Sequence, residues 1–437
     1  MKSAVVLAIG VLVGACTADL TDPTNPSGKS AATPPSFAVH FIAPTQSDAD
    51  AISSIIRSRH MPYGTLADPG FATSDETSPD YFTIVTYNRT GDGAIWTGHY
   101  LAAESFRFAA TGSPDALANA RAALNGIQSL VDVTSPAAPD LLARSWLPQD
   151  SKYLPKIQTD EGHNGLYPST YRGQPVYWIG NTTRDQYSGV FFGLSLAFEH
   201  VPALRNQASS LVTRLLDRLL ANGWNVIMPD GSASTTFLGR PDQQLALLQI
   251  GRQVNPARYT TIYETFRAAN AATAGLPIAT ECQDPHGSYF KFNLDYINMF
   301  SLVRLEERAS PFRREYVQIY NTLRGCTRTH KNAHFNMIDR ALKGPKSARD
   351  SATERFLGQW LTRPRRAFFS DVSDKYAACG ENRACDVVPV YDRPNTDFLW
   401  QRSPFLLYGG GDSTVETAAI DYLLPYWMAR YYGVLTS

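Results

Sequence analysis

Two seven-residue connections constrain this chain more than any other feature. "TGSPDAL" (111–117) and "HVPALRN" (200–206) each join two long stretches in which apolar residues recur at helical spacing. In the first, Gly112 suits the left-handed conformation that ends a helix, Ser113 can cap the next, and Pro114 fits its first turn. Links this short force antiparallel helical hairpins. The same spacing continues over 48–59, 93–110, 114–131, 185–200, 202–222, 243–254, 257–274, 290–307, 313–323, 332–342, 349–361 and 414–432. Alternating polar and apolar runs are few, so the chain reads as all-α. With 437 residues, 43% of them hydrophobic, it can bury one large core.

Long, aromatic and polar segments precede the first helix of each pair, as in "PKIQTDEGHNGLYPSTYRGQPVYWIGNTTRD". Loops of this length in a compact domain are functional or disordered, and so many Tyr and Trp argue against disorder. About a dozen helices in hairpins, with short turns at one end and long loops at the other, predict an (α/α)6 toroid whose loops gather at one mouth. The alternative is an open helical solenoid. No strict internal repeat is visible, which favours the closed ring.

The opening "MKSAVVLAIGVLVGAC" has one lysine, an apolar run and small residues leading to a cysteine, the layout of an export signal too short to span a membrane. Its "VGAC" ending resembles a bacterial lipobox, which implies a signal over 1–15 and lipidation of Cys16; a soluble exported protein is the alternative. Residues 16–36 are rich in Pro, Ser and Thr and read as a disordered tether, so the folded domain occupies 37–437. Its location would be the cell envelope, the outer membrane or the cell surface, with membrane contact through the anchor alone. Four cysteines remain, and in an exported chain Cys282, Cys326, Cys379 and Cys385 predict two disulfides, with Cys379–Cys385 the favoured pair. Their spacing matches no common zinc pattern.

Forty basic residues balance forty acidic ones, so no net field favours nucleic acid or an anionic membrane. HExxH, GxSxG and EF-hand patterns are absent from the sequence, and neither a metal nor a cofactor is expected. Within "LLYGGGDSTVETAAIDYLLPYWMARYYG" the glycines lack the Lys and Ser or Thr of a phosphate loop. They read as a flexible loop ahead of a last helix that Pro425 would kink.

"GDGAIWTGHYLAAESFRFA" and "TRDQYSGVFFGLSLAFEHV" share a layout: an aspartate at the helix start, a glycine within two turns, then an apolar, aromatic-rich helix. Asp92 and Asp185 would then stand at equivalent positions at the mouth. With Asp92 followed by Gly93 and later by Thr111, Gly112 and Ser113, residues 91–221 resemble the six-hairpin glycosidase superfamily, nearest the unsaturated glucuronyl and rhamnogalacturonyl hydrolases. The resemblance implies that Asp92 and Asp185 form a catalytic pair acting on an oligo- or polysaccharide, a uronate-containing one included. Gly91 stands where that family usually has His, and the gap between the two acids is longer here. Each Asp could equally be a helix N-cap.

Spacing narrows the partners of Asp92. Glu104 follows it by twelve residues, roughly 18 Å along a helix, whereas glycosidase carboxyls pair at about 5 to 9.5 Å. Glu104 is better placed to pair with Arg107. His99, about 10 Å away by the same rise, reads as a core histidine. Asp160, Glu161, Asp284 and Asp397 are reserve acids on the long loops. Flat rings and planar hydrogen-bonders on those loops could hold a sugar: His163, Asn164, Tyr171, Trp178, His286, Lys291, Trp400 and Arg402. The expected activity is glycoside hydrolysis, the alternatives being a polysaccharide lyase on the same fold and a non-catalytic glycan-binding lipoprotein.

Overall fold

The computed structural model describes residues 40–286, 289–394 and 402–436. Of these, 55% are helical and 13% lie in strands. The chain begins with α1 (Gln46–Arg59), β1 (Asp68–Phe71) and β2 (Ile84–Asn88), then α2 (Gly93–Thr111) and α3 (Pro114–Asp132). Next come β3 (Ser145–Pro148), α4 (Leu154–Glu161), the hairpin β4 (Leu166–Tyr171) and β5 (Gln174–Ile179), then α5 (Arg184–His200) and α6 (Arg205–Ala221). The hairpin β6 (Asn225–Ile227) and β7 (Ala233–Thr236) leads to α7 (Pro241–Val254) and α8 (Pro256–Asn270). Then follow α9 (Leu276–Glu281), α10 (Tyr289–Leu305), α11 (Pro311–Thr327), α12 (Ala333–Lys343) and α13 (Ser347–Trp360). The long strands β8 (Arg366–Asp371) and β9 (Tyr408–Glu416) precede α14 (Ile420–Tyr431).

Helix packing follows the hairpin pattern. Helix α2 packs on α5, α5 on α7, α7 on α10, α10 on α12, α12 on α14, and α14 back on α2. Of these, α2, α5, α10 and α14 are buried on nearly all sides, which is why apolar residues run all round them. Each has a partner that follows it in the chain, except α14, whose partner is α1. The turn between α2 and α3 has the expected chemistry: Gly112 is left-handed at φ 64°, Ser113 accepts from the Ala116 N–H, and Pro114 opens α3.

The tightest contact in this arrangement joins α2 to α5. A Cβ at Gly98 would lie 2.2 Å from the Gly189 carbonyl oxygen, and one at Gly193 would lie 2.2 Å from the Gly98 carbonyl oxygen. The two backbones therefore touch, and only glycine leaves room. Gly98→Ala is expected to push the helices apart and cost about 1–3 kcal/mol by overpacking. Chemical denaturation would measure it, and an unchanged midpoint would refute the contact.

The strands correct the all-α expectation. Sheets β2-β1-β9-β8, β3-β5-β4 and β6-β7 occupy the long connections. The segment read as a loop before α5 holds α4 and the β4–β5 hairpin, whose two-residue turn is Arg172 (φ 51°) and Gly173 (φ 80°), both left-handed as such turns require. Residues 414–416 belong to β9, so the last helix starts later than its periodicity predicts and runs through Pro425. The glycine run is not a loop either: a Cβ on Gly410 would meet the Phe368 carbonyl oxygen of β8 at 1.9 Å. It permits close strand pairing.

Both disulfides form, Cys379–Cys385 and Cys282–Cys326, as suits an oxidising, exported environment. Among the described residues no helix is long and apolar enough to cross a membrane. Cys16 and the tether lie outside the described residues.

Candidate functional site

Because α2 and α5 touch backbone to backbone, their N-terminal ends lie side by side. Asp92 occupies the N-cap position of α2 and Asp185 lies in the first turn of α5. Between them sits Gln186, fully buried, whose Nε2 donates to Asp92 Oδ1 at 3.1 Å and to Asp185 Oδ2 at 3.3 Å. Those two contacts limit the separation of the two carboxylate oxygens to about 6 Å, within reach of one glycosidic bond.

Arg144 ties the two helix starts together from behind. Its Nη1 donates to the Gly91 carbonyl at 2.9 Å, its Nη2 to Thr183 Oγ1 at 2.9 Å, and its Nε to the Asn181 carbonyl at 3.0 Å. Thr183 in turn donates its hydroxyl proton to Asp185 Oδ1. From the end of α4, Glu161 Oε1 accepts the Gly91 N–H at 2.8 Å, and its Oε2 accepts from Asn164 Nδ2 at 2.8 Å. Asn164 Oδ1 completes the chain by accepting from Asn181 Nδ2 at 3.2 Å. Arg89 and Asn181, next to the two helix starts, hold left-handed backbones at φ 55° and 47°. Non-glycine residues adopt this conformation at a cost, and such strain gathers at functional sites.

The electrostatics set the two acids apart. Burial pushes the Asp92 carboxyl up to about 7, and the neighbouring Asp185 and Glu161 carboxylates add to the rise while Arg144 and Arg89 oppose it. Arg144 is only a partial counter-ion, its Nη1 standing 3.9 Å from Asp92 Oδ1. Asp92 still exposes a quarter of its side chain, 25%, so a proton held there can reach a ligand. An acid of this kind holds a proton near neutral pH, which is what a general acid needs.

The structure gathers some of the sequence candidates and scatters others. Asp92, Asp185, Asn164 and the reserve acid Glu161 converge, with His163 exposed beside Asn164. Asn164 is buried and spent on holding Glu161. Trp178 is fully buried in β5, so it offers no face to a sugar; it stacks at 4.5 Å on Tyr167, which keeps part of its ring exposed. Tyr171 sits at the turn of the β4–β5 hairpin, packed on Trp146 at 5.1 Å.

His286 lies against Phe405 at 4.2 Å, Arg402 is half-buried three residues before that ring, and Asp284 is exposed nearby. Lys291 lines a cleft of about 550 Å³ walled by Gln244 of α7 and by Leu276 and Glu281 of α9, which shares no residue with the carboxylate cluster. Asp160 pairs with Lys156. Trp400 and Asp397 lie outside the described residues.

Glu104 and His99 are core groups. Glu104 accepts from Ser53 at 2.6 Å and from Arg107 at 3.0 Å, and His99 contacts the Ile95 carbonyl at 2.9 Å and Asn293 at 3.1 Å. Sequence reasoning missed Gln186 and Arg144. Gln186 had one available signal, its place beside Asp185 on the same helix start; Arg144 had none, since its partners are Gly91, Asn181 and Thr183. Among the described residues no group of three or more His, Cys, Asp or Glu could hold a metal ion. Comparison of the chain with models of protein families, with curated proteins and with solved structures finds no match.

Proposed function

We propose that this chain is an exported, lipid-anchored glycoside hydrolase built as an (α/α)6 toroid of six helical hairpins. The closed order of helix contacts, with α14 and α1 forming the sixth pair, supports the toroid over the open solenoid. It also agrees with the resemblance to six-hairpin glycosidases carried by Asp92, Gly93 and the Thr111–Gly112–Ser113 turn. Cys16 would carry the lipid and 16–36 would serve as the tether to the envelope.

The observation that carries the hydrolase reading is the Asp92–Gln186–Asp185 bridge at adjacent helix starts, with one acid raised to about 7. In this mechanism Asp92 gives its proton to the leaving glycosidic oxygen as the C1–O bond breaks. At this separation Asp185, as the carboxylate, bonds to C1 as that bond breaks, and a water that gives its proton to the now ionised Asp92 then displaces Asp185 from C1. The ligand is an oligo- or polysaccharide, and the part-exposed Tyr167, rather than the buried Trp178, is the member of that stacked pair that could meet it.

The test incubates the purified protein with neutral and uronate-bearing oligosaccharides. New reducing ends without ultraviolet-absorbing products are expected. Unsaturated products would replace hydrolysis by elimination. Binding that survives in both Asp92→Asn and Asp185→Asn, with no product from any glycan, would make the protein a glycan-binding lipoprotein instead.

A further inference from the structure

We infer that the cleft between α7, α9 and α10 is a second, non-catalytic glycan site, in which Lys291 and Gln244 hold a carboxylate-bearing sugar unit at a distance from the two acids. The choice of a sugar as ligand rests on the hydrolase reading.

The cleft holds about 550 Å³, the size of a small-molecule site. Most of the polar groups in its wall are committed. Asn270, Thr273 and Thr280 donate to the carbonyls of Phe266, Asn270 and Leu276 at 2.9, 3.0 and 3.0 Å, and Glu281 accepts from Arg240 at 2.8 Å. Two groups are not committed. Lys291, in the first turn of α10, makes no ion pair and no side-chain hydrogen bond. Gln244, in the first turn of α7, is only 5% exposed, and its side-chain amide bonds no other group. Neither atom of that amide is cut off from solvent, so the little that Gln244 exposes includes the amide, which opens onto the cleft it lines. A polar group this deeply buried costs stability unless something bonds it, and here a ligand can.

These two groups define the ligand. An ammonium has donors only, so it takes acceptors, and a carboxylate supplies the opposite charge that Lys291 otherwise lacks. The Gln244 amide can give a hydrogen to a hydroxyl and accept one from it. Arg240 is shared by Asp242, Asp295 and Glu281, and three carboxylates around one cation disfavour a multiply charged anion such as phosphate. A sugar acid brings one charge and several hydroxyls, for which Glu281 is a further acceptor. Leu276, 64% exposed in the same wall, offers an apolar surface to the C–H face of the ring. The cleft also lies at the same end of the helices as the acids. Arg184, beside Asp185 in the first turn of α5, donates to the Thr236 carbonyl of β7 at 2.8 Å, and β7 leads into α7. A long chain crossing these helix starts is held at two points, a short one at a single point.

The side-chain amide signal of Gln244, followed by NMR, reports on the cleft alone, and Asp92→Asn in the same chain prevents turnover during the titration. Galacturonate trimer and its methyl ester, which carries no charge, are the probes. The trimer is expected to shift the Gln244 signal to saturation, and the ester to bind about tenfold or more weakly. Lys291→Met should weaken the trimer by a similar factor and leave the ester unchanged, while Lys291→Arg keeps the preference for the acid. The comparison of acid with ester needs no change in the cleft, so it decides the matter should Lys291→Met fail to fold. A Gln244 signal that the trimer does not move, or equal affinity for acid and ester, overturns the inference. A cleft that binds the trimer in a protein that cleaves no glycan removes the hydrolase reading and leaves this site standing; glycan cleavage with an unmoved Gln244 signal does the reverse.

Discussion

Asp92→Asn is expected to lower turnover by about 10²- to 10⁴-fold, the usual contribution of a general acid, and at the same time to stabilise the protein in alkaline solution. Folding raises the Asp92 carboxyl from 3.8 to about 7, so the native state keeps a proton that the unfolded chain has released. The native state is therefore favoured least where the group must ionise: stability falls as pH rises from the unfolded value through the folded one. Asn carries no such cost. With a discount for the part of the carboxyl open to solvent, the variant should be more stable than wild type by about 2 kcal/mol at pH 8 and no different at pH 3. Denaturant unfolding at the two pH values measures it, and an equal difference at both would show that Asp92 is not perturbed. Turnover in the wild type should decline as pH rises through about 7, where the proton is lost.

Arg240→Met is expected to destabilise the fold by about 3–5 kcal/mol, because it strands buried carboxylates without their cation. Arg240 Nη2 bonds Asp242 Oδ2 at 2.8 Å and Asp295 Oδ1 at 3.0 Å, and its Nη1 bonds Glu281 Oε1 at 2.8 Å. Asp242 and Asp295 have no exposed surface. Burial pushes Asp295 well up from its ordinary value, the nearby Glu281 adds to this, and Arg240 opposes it. The cluster joins the start of α7 to α9 and α10, so its loss loosens three elements at once. Asp295→Asn in the Arg240→Met background should recover part of the loss, since it removes one stranded charge. The destabilisation should also shrink at acid pH, where the carboxyls take up protons. Urea midpoints across the single and double variants would check this; a double variant no better than Arg240→Met would rule out the charge explanation.

Helices were legible in this chain because their signals are local. A period near 3.6, a left-handed glycine at Gly112, a cap at Ser113 and a proline at Pro114 act over one or two turns and need no distant partner. The strands were not. "LYPSTYRGQPVYWI" turns through Arg172 and Gly173, a weaker hairpin signal than Asn-Gly, and its first strand does not alternate cleanly. In "YGGGDSTVE" the glycines suggest a loop until β8 is present to pair with them.

The site divides along the same line. The repeated layout of aspartate, glycine and aromatic helix was enough to place Asp92 and Asp185 at equivalent helix starts, and helical rise alone removed Glu104 and His99 as partners. The same repeat held the glycines, Gly98 and Gly189, that let α2 and α5 touch. Their meaning depends on which backbone lies opposite, and only the tertiary structure decided that. It also decided that Trp178 is buried, that Arg144 reaches residues on two separate segments, and that Gln186 takes the capping bond Asp92 would otherwise make. Helix formation and capping are decided by neighbours a few residues away, so one sequence suffices to read them. Burial, counter-charge and proton placement are sums over groups far apart in the chain, and these come together only once the helices have packed.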